Sequence, residues 1–249
     1  MCAGLLRDER DTPGKVGTPP LRAAVLLLAD GRFPAGAHAH SAGMETAIGT
    51  GVVRDLADVS SWARDVVGTV GFTAAGLAAR GCLLAAAGDR EPAGAWDRLD
   101  AEADARTPSP VQRDVARRLG RQLLRTACRV WASDLLVELA DRWPGGPHRP
   151  VAYGAAVAVA GGTPGDAALG EAYGAVAVPV GAAVRLLGLD PVAGAAVVAE
   201  LAPAMEEVAR RAAEAADTDD VARLPSRSSP MVDVCAELRA GAEGALFAS

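Results

Sequence analysis

Apolar positions recur at helical spacing through most of the 249-residue chain. Leu21 to Ala29 reads as a short buried helix, stopped by Asp30-Gly31 and Pro34. A second short helix is expected from Ser41 to Ile48, closed by Gly49 and Gly51. Asp55 or Asp58 can cap a long helix running to about Ala87, with Trp62, Val66, Val70, Leu77 and Leu84 on one face. Gly68, Gly71, Gly76 and Gly81 lie inside it, each costing about 1 kcal/mol relative to Ala. Close backbone contact with a neighbouring helix is the expected compensation. Ala95 to Ala105 reads as an acidic helix. Pro110 starts another, in which Val111, Val115, Leu119, Leu123 and Ala127 form a stripe opposite Arg113, Arg117, Arg118, Arg121 and Arg125. Helices follow from about Val151 to Ala160, Asp166 to Leu187 and Pro191 to Ala216, with a weaker one from Met231 to Leu246. There is no alternation at period two and no repeat. The expected class is all-α, a single compact helical domain of about eight to ten helices.

Three stretches divide the chain. Residues 1–20 are charged, then rich in Pro and Gly, and read as a flexible leader. Residues 21–216 carry the helical pattern. Residues 217–249 begin with a polar loop, Asp217 to Pro230, and continue as a C-terminal tail segment. Trp143-Pro144-Gly145-Gly146-Pro147 is the clearest interior break, but no composition shift there demands a second domain.

Composition narrows the picture. Aromatics make up 4% of the chain and 28 residues are Gly, so the core has to be aliphatic and closely approached. A net charge of -6 argues against nucleic acid as a partner. Lys15 is the only lysine, and Gly14-Lys15-Val16 is not the Gly-Lys-[Ser/Thr] of a phosphate-binding P-loop. Cys2, Cys82, Cys128 and Cys235 are scattered, which suits free thiols in a reducing compartment. Leu5-Leu6 is followed at once by charged residues, so no secretory signal is expected. The uncharged stretches before Asp166 and before Arg185 fall short of the roughly 18 to 20 residues of a membrane span. The expected location is the cytoplasm.

Histidine is rare. His38 and His40 follow the Pro34-Ala35-Gly36 turn, and two imidazoles two residues apart can share a nickel or zinc ion. A stable protein-only site normally uses three or four ligands, and hydrogen-bonded structural histidines are the commoner outcome. Ala39-His40-Ser41-Ala42-Gly43 misses the nucleophile elbow Gly-x-Ser-x-Gly, and no strand precedes it. Ser41 reads more simply as an N-cap, with Glu45 near the positive helix end. The arginine row after Pro110 could clamp acidic partners or phosphates, or be a solvated face. Arg185 ends an otherwise uncharged stretch, as a C-terminal cap or the partner of a buried carboxylate.

These segments, taken together, resemble the UreF family of urease accessory proteins. The resemblance rests first on Leu26-Leu27-Leu28-Ala29-Asp30-Gly31-Arg32-Phe33-Pro34-Ala35-Gly36-Ala37-His38-Ala39-His40-Ser41-Ala42-Gly43-Met44-Glu45. It continues with Asp104 to Pro110, Gly120-Arg121-Gln122-Leu123-Leu124, His148-Arg149-Pro150, Arg185-Leu186 and the terminal Leu246-Phe247-Ala248-Ser249. Arg239-Ala240 stand where the family tail usually has His-Glu, and Ala245 precedes Leu246 where the family has Arg. Leu189-Asp190 replaces the common Gly-Gln.

The resemblance implies a non-enzymatic helical scaffold that dimerises, binds UreD (also called UreH) and recruits the GTPase UreG to deliver nickel to apo-urease. It implies no tightly bound cofactor, nickel only in transit and GTP only through a partner. Pro34, Gly36, His38, His40, Ser41 and Glu45 become the expected partner-facing or nickel-passage motif, with His38 and His40 as transient nickel contacts. Arg185 is expected to pair in the interior, and Leu246 and Phe247 to dock the tail. Two other readings stand beside it: a metal-dependent helical enzyme using His38 and His40, and a degenerate paralogue with an altered tail.

Overall fold

The computed structural model describes residues 22–35, 41–90 and 92–240, and among the described residues the structure is all-α, with no strand. The chain enters through α1 (Arg22–Ala29) and α2 (Met44–Gly49). The long rod follows as α3 (Leu56–Val66), a π-helical turn (Val67–Gly71) and α4 (Phe72–Ala87). Asp55 caps the rod by accepting from the Asp58 N–H at 3.0 Å, while the Asp58 carboxylate accepts from the Arg54 N–H. Next come α5 (Ala95–Ala105), α6 (Pro110–Val130), α7 (Asp134–Arg142), α8 (Arg149–Val159) and α9 (Pro164–Leu187). The last three are α10 (Pro191–Glu200), α11 (Ala202–Ala216) and α12 (Pro230–Ala240).

Proline and short polar caps set most helix starts. Ser109 caps α6 ahead of Pro110, and Thr163 with Asp166 forms a reciprocal capping box around Pro164 in α9. Two features differ from the expected elements. Helix α7 is an element the reading of the sequence missed: Leu135, Leu136, Leu139 and Ala140 stand at helical spacing, and Leu136 and Leu139 are buried. The pattern from Pro191 to Ala216 divides at Leu201, because Pro203 cannot supply an N–H to the preceding turn.

The centre of the molecule is the crossing of α4 with α8, covered by α9 and α11. Both central helices are built from small residues, so their backbones approach closely. A Cβ added at Gly154 of α8 would run into the Ala78 carbonyl of α4, and one added at Gly81 would lie 3.0 Å from the Val151 carbonyl oxygen. Gly71 makes room for the Ala175 side chain of α9, and Gly76 for the ring of Pro225 in the loop before α12. Gly68 faces open space, so of the four rod glycines Gly81 and Gly71 lie against a neighbouring helix, and Gly81 alone meets its backbone.

The polar segment after α11 is a loop held in place. Leu224 is buried, and Arg106 of α5 donates to the carbonyls of Ala222, Leu224 and Pro225 at 3.0, 3.2 and 2.9 Å. The Thr73 hydroxyl of α4 donates to the Arg227 carbonyl and accepts from its N–H, both at 2.8 Å. Two helical stretches, Leu56–Ala87 and Pro164–Leu187, are long and apolar enough to cross a bilayer by length and composition alone. In the most apolar part of the first, 67% of residues are buried inside the protein, which accounts for its hydrophobicity without a membrane.

Candidate partner-docking site

The candidate motif begins where α1 ends. Arg32 and Asp30 form a local ion pair at 2.8 Å, and Phe33 is buried with its ring 6.0 Å from that of Trp131. Pro34 offers its carbonyl to α6, accepting from Thr126 Oγ1 at 2.9 Å and Gln122 Nε2 at 3.5 Å. Gly36, His38 and His40 lie outside the described residues, as do Leu246 and Phe247.

The chain returns at Ser41, which is buried, and its carbonyl accepts from the Met44 N–H at 3.1 Å. Ser41 is not the cap of α2: the N-cap residue is Gly43, in the left-handed region at φ 81°, with no side-chain cap. Ala42 is left-handed as well, at φ 50°, a conformation costly for a residue with a Cβ. This double left-handed turn folds Ser41 inward and sets Gly43 against its neighbours. A Cβ on Gly43 would lie 3.2 Å from Cys235 Cβ and 3.4 Å from the Trp62 ring.

Glu45 occupies the first turn of α2, as expected. Its carboxylate meets Arg239 Nη1 at 2.7 Å, and the two side chains are only 15% and 11% exposed. Sequence reasoning missed this contact. Arg239 is one of the three tail residues that depart from the pattern the resemblance implies, and its guanidinium ties α12 to the motif.

Arg185 lies on the last turn of α9 and is exposed there. The buried Glu171 carboxylate is paired with Arg149, whose Nη1 lies 2.6 and 2.5 Å from its two oxygens. Burial pushes the Glu171 carboxyl above its ordinary range, and the Arg149 guanidinium opposes that rise. Arg149 also lies over the Tyr153 ring, 5.3 Å from its centroid.

Two of the segments that carry the resemblance meet at His148. Its Nε2 and Asp104 Oδ1 are 2.7 Å apart, and its backbone N–H donates to Asp100 at 2.7 Å. Arg117 of the α6 row donates to Asp100 and Asp104 at 2.9 and 2.6 Å, closing a ring across α5, α6 and α8. Burial raises the Asp104 carboxyl, but the hydrogen bonds from His148 and Arg117 outweigh it and hold the group below its ordinary range.

Among the described residues no three His, Cys, Asp or Glu side chains converge as a metal site. Burial, helped by Asp166, pushes the Cys82 thiol up to about 12, so it stays protonated at neutral pH. Among the described residues two apolar surfaces are exposed. The outer face of α12 exposes Met231, Val234 and Leu238, while Val232, Cys235 and Ala236 face the core. A cleft of about 720 Å³ runs between α1, α9 and α10–α11, with exposed Leu26, Leu169 and Tyr173 on its walls.

The comparisons with known proteins agree with this architecture's resemblance. The family model of UreF matches residues 53–202, a span that starts after the Pro34–Glu45 motif. The urease accessory protein UreF of Mycobacterium sp. (strain JLS) is 41% identical over 229 residues, covering 90% of this chain and 97% of that protein. Its counterpart in Mycolicibacterium vanbaalenii is also 41% identical, covering 91% and 98%. The UreF of Mycobacterium tuberculosis (strain H37Rv) is 37% identical over 218 residues, covering 86% and 92%. With more than half of its length matched by the family and near-full-length relatives well above 30% identity, this chain belongs to the UreF family of urease accessory proteins.

Proposed function

We propose that this chain is a non-enzymatic scaffold for urease maturation, bridging UreD/UreH and the UreG GTPase so that nickel is inserted into apo-urease. Family membership supports the maturation role. The observation that carries the bridging role is the α2–α12 junction. There the Glu45–Arg239 pair and the left-handed turn at Ala42-Gly43 couple the motif to a helix whose outer face is apolar and exposed. A partner seated on Met231, Val234 and Leu238 would register on the motif through that pair.

In this reading Pro34, Gly36, His38, His40, Ser41 and Glu45 form the partner-facing or nickel-passage surface, and Leu246 and Phe247 dock the tail. Nickel is cargo in transit, touching His38 and His40 briefly, and GTP is hydrolysed by the partner. The protein works in the cytoplasm as a homodimer. The cleft between α1 and α9 supports dimerisation, because its exposed apolar walls suit a second copy.

Complementation of a UreF-deficient, urease-producing strain tests the proposal. Restored urease activity is expected, together with co-purification of UreD and UreG. A chain that neither restores urease nor associates with UreD would overturn the scaffold reading.

A further inference from the structure

Helix α6 carries two populations of arginine. Arg113 and Arg117 are consumed internally, Arg113 by the Thr107 and Pro108 carbonyls and Arg117 by Asp100 and Asp104. Arg118, Arg121, Arg125 and Arg129 are exposed, and among the described residues their side chains make no hydrogen bond, ion pair or ring contact. Elsewhere in the molecule exposed arginines find partners, as Arg54 does with Asp58, Arg64 with Glu200, and Arg210 with Glu207 and Glu214.

The spacings of three, four and four residues place the contact-free side chains within one face of the helix, in a row about 16 Å long. Like charges at these spacings destabilise a helix. Among the described residues Asp114, one turn before Arg118, makes no ion pair that would relieve the repulsion. The row also flanks the candidate motif. Gln122 and Thr126, on the adjoining strip of α6, hold the Pro34 carbonyl.

We propose that the Arg118–Arg121–Arg125–Arg129 row docks an acidic helix of a partner protein, one whose carboxylates repeat at the same three- and four-residue intervals. Guanidinium forks match carboxylates two bonds at a time. A helix laid along α6 repeats with the same rise, so each arginine can meet one carboxylate. A polynucleotide fits less well, because the chain's net charge of -6 repels a polyanion beyond the immediate contact. The inference stands on α6 alone and does not depend on the bridging proposal; a failed complementation would leave it intact.

The test uses the full chain and a fluorescein-labelled helical peptide bearing Glu at the four matching intervals, followed by anisotropy at low salt. Binding is expected, weakening as salt rises. The quadruple variant R118Q/R121Q/R125Q/R129Q should bind about tenfold more weakly. Arg210→Gln, an exposed arginine on α11, should change binding by less than about twofold. Glutamine is a good helix former and all four sites are exposed, so the variant should keep its helical circular dichroism and melting midpoint. The proposal is overturned if the wild type does not bind the peptide or the quadruple variant binds it equally well. It is also overturned if a peptide with its Glu residues dispersed around the helix, or single-stranded DNA of the same charge, binds as tightly as the matched peptide.

Discussion

At the α4–α8 crossing the helices meet through side chains that are absent: Gly154 lies against the Ala78 carbonyl and Gly81 near that of Val151. Arg149 and Glu171 close the neighbouring α8–α9 contact as a buried ion pair. At the α2–α12 junction the elements are short and the contact is made by what protrudes. One carboxylate, one guanidinium and a left-handed turn packed on Cys235 and Trp62 hold it together. The first region has no space into which an error can relax. The second adds a few directional contacts to the apolar packing of Met44, Val232 and Cys235, so its geometry rests on fewer and more specific groups.

The difference can be broken most forcefully at the crossing. Glu171→Ala leaves a partly buried guanidinium without its carboxylate and should cost about 3 kcal/mol, read as a lower urea midpoint. Glu171→Gln should cost less, because an amide still accepts from Arg149. Gly154→Ala gains helix propensity but drives a methyl into the Ala78 carbonyl, for a net loss of about 2 kcal/mol. If Gly154→Ala left the melting midpoint unchanged, the close-approach account of the crossing would be wrong.

At the junction the expected stability loss is smaller and the functional effect larger. Arg239→Ala should cost about 1.5 kcal/mol, with co-purification of UreD falling more than folding does. A double-mutant cycle with Glu45→Ala should return a coupling energy, whereas additive losses would show that the pair contributes nothing of its own.

The smallest effect is a pH dependence carried by Asp104. The Asp104 carboxyl is held below its ordinary range, so the stability it contributes is complete above that range and is lost as pH falls through it. Its side chain is 41% exposed and screened, which keeps the contribution under about 1 kcal/mol. Asp104→Asn should therefore be less stable than wild type at neutral pH. The gap should close as the solution is acidified below pH ~4. A gap that stayed constant would assign the effect to packing.

Much of the helical scaffold was legible because periodicity, caps and prolines are local signals. Asp55, Ser109 and Thr163 each cap the helix that follows them, and the α6 stripe buries Val115, Leu123 and Ala127. Helix α7 was overlooked although Leu135, Leu136 and Leu139 carry its stripe, and the division at Leu201 was masked by alanines that continue the pattern past Pro203. Within the site, Glu45 was visible as a helix-start carboxylate. Its partner lies almost two hundred residues away, and no local pattern encodes that pairing. Ser41 was misjudged for a related reason. Its residue type suits a cap, but packing of Gly43 on Trp62 and Cys235 imposes a turn in which Gly43 takes that place.

By itself the sequence determined the all-helical class, where most helices start, and the absence of a P-loop lysine, because each follows from short-range stereochemistry and composition. Only the tertiary structure decided which charges are used. It buried Glu171 under Arg149, joined Glu45 to Arg239 and left one row of α6 arginines without contacts among the described residues. Desolvation and pairing depend on which distant segments meet, and in this chain those meetings are set by how closely glycine and alanine let the helices approach.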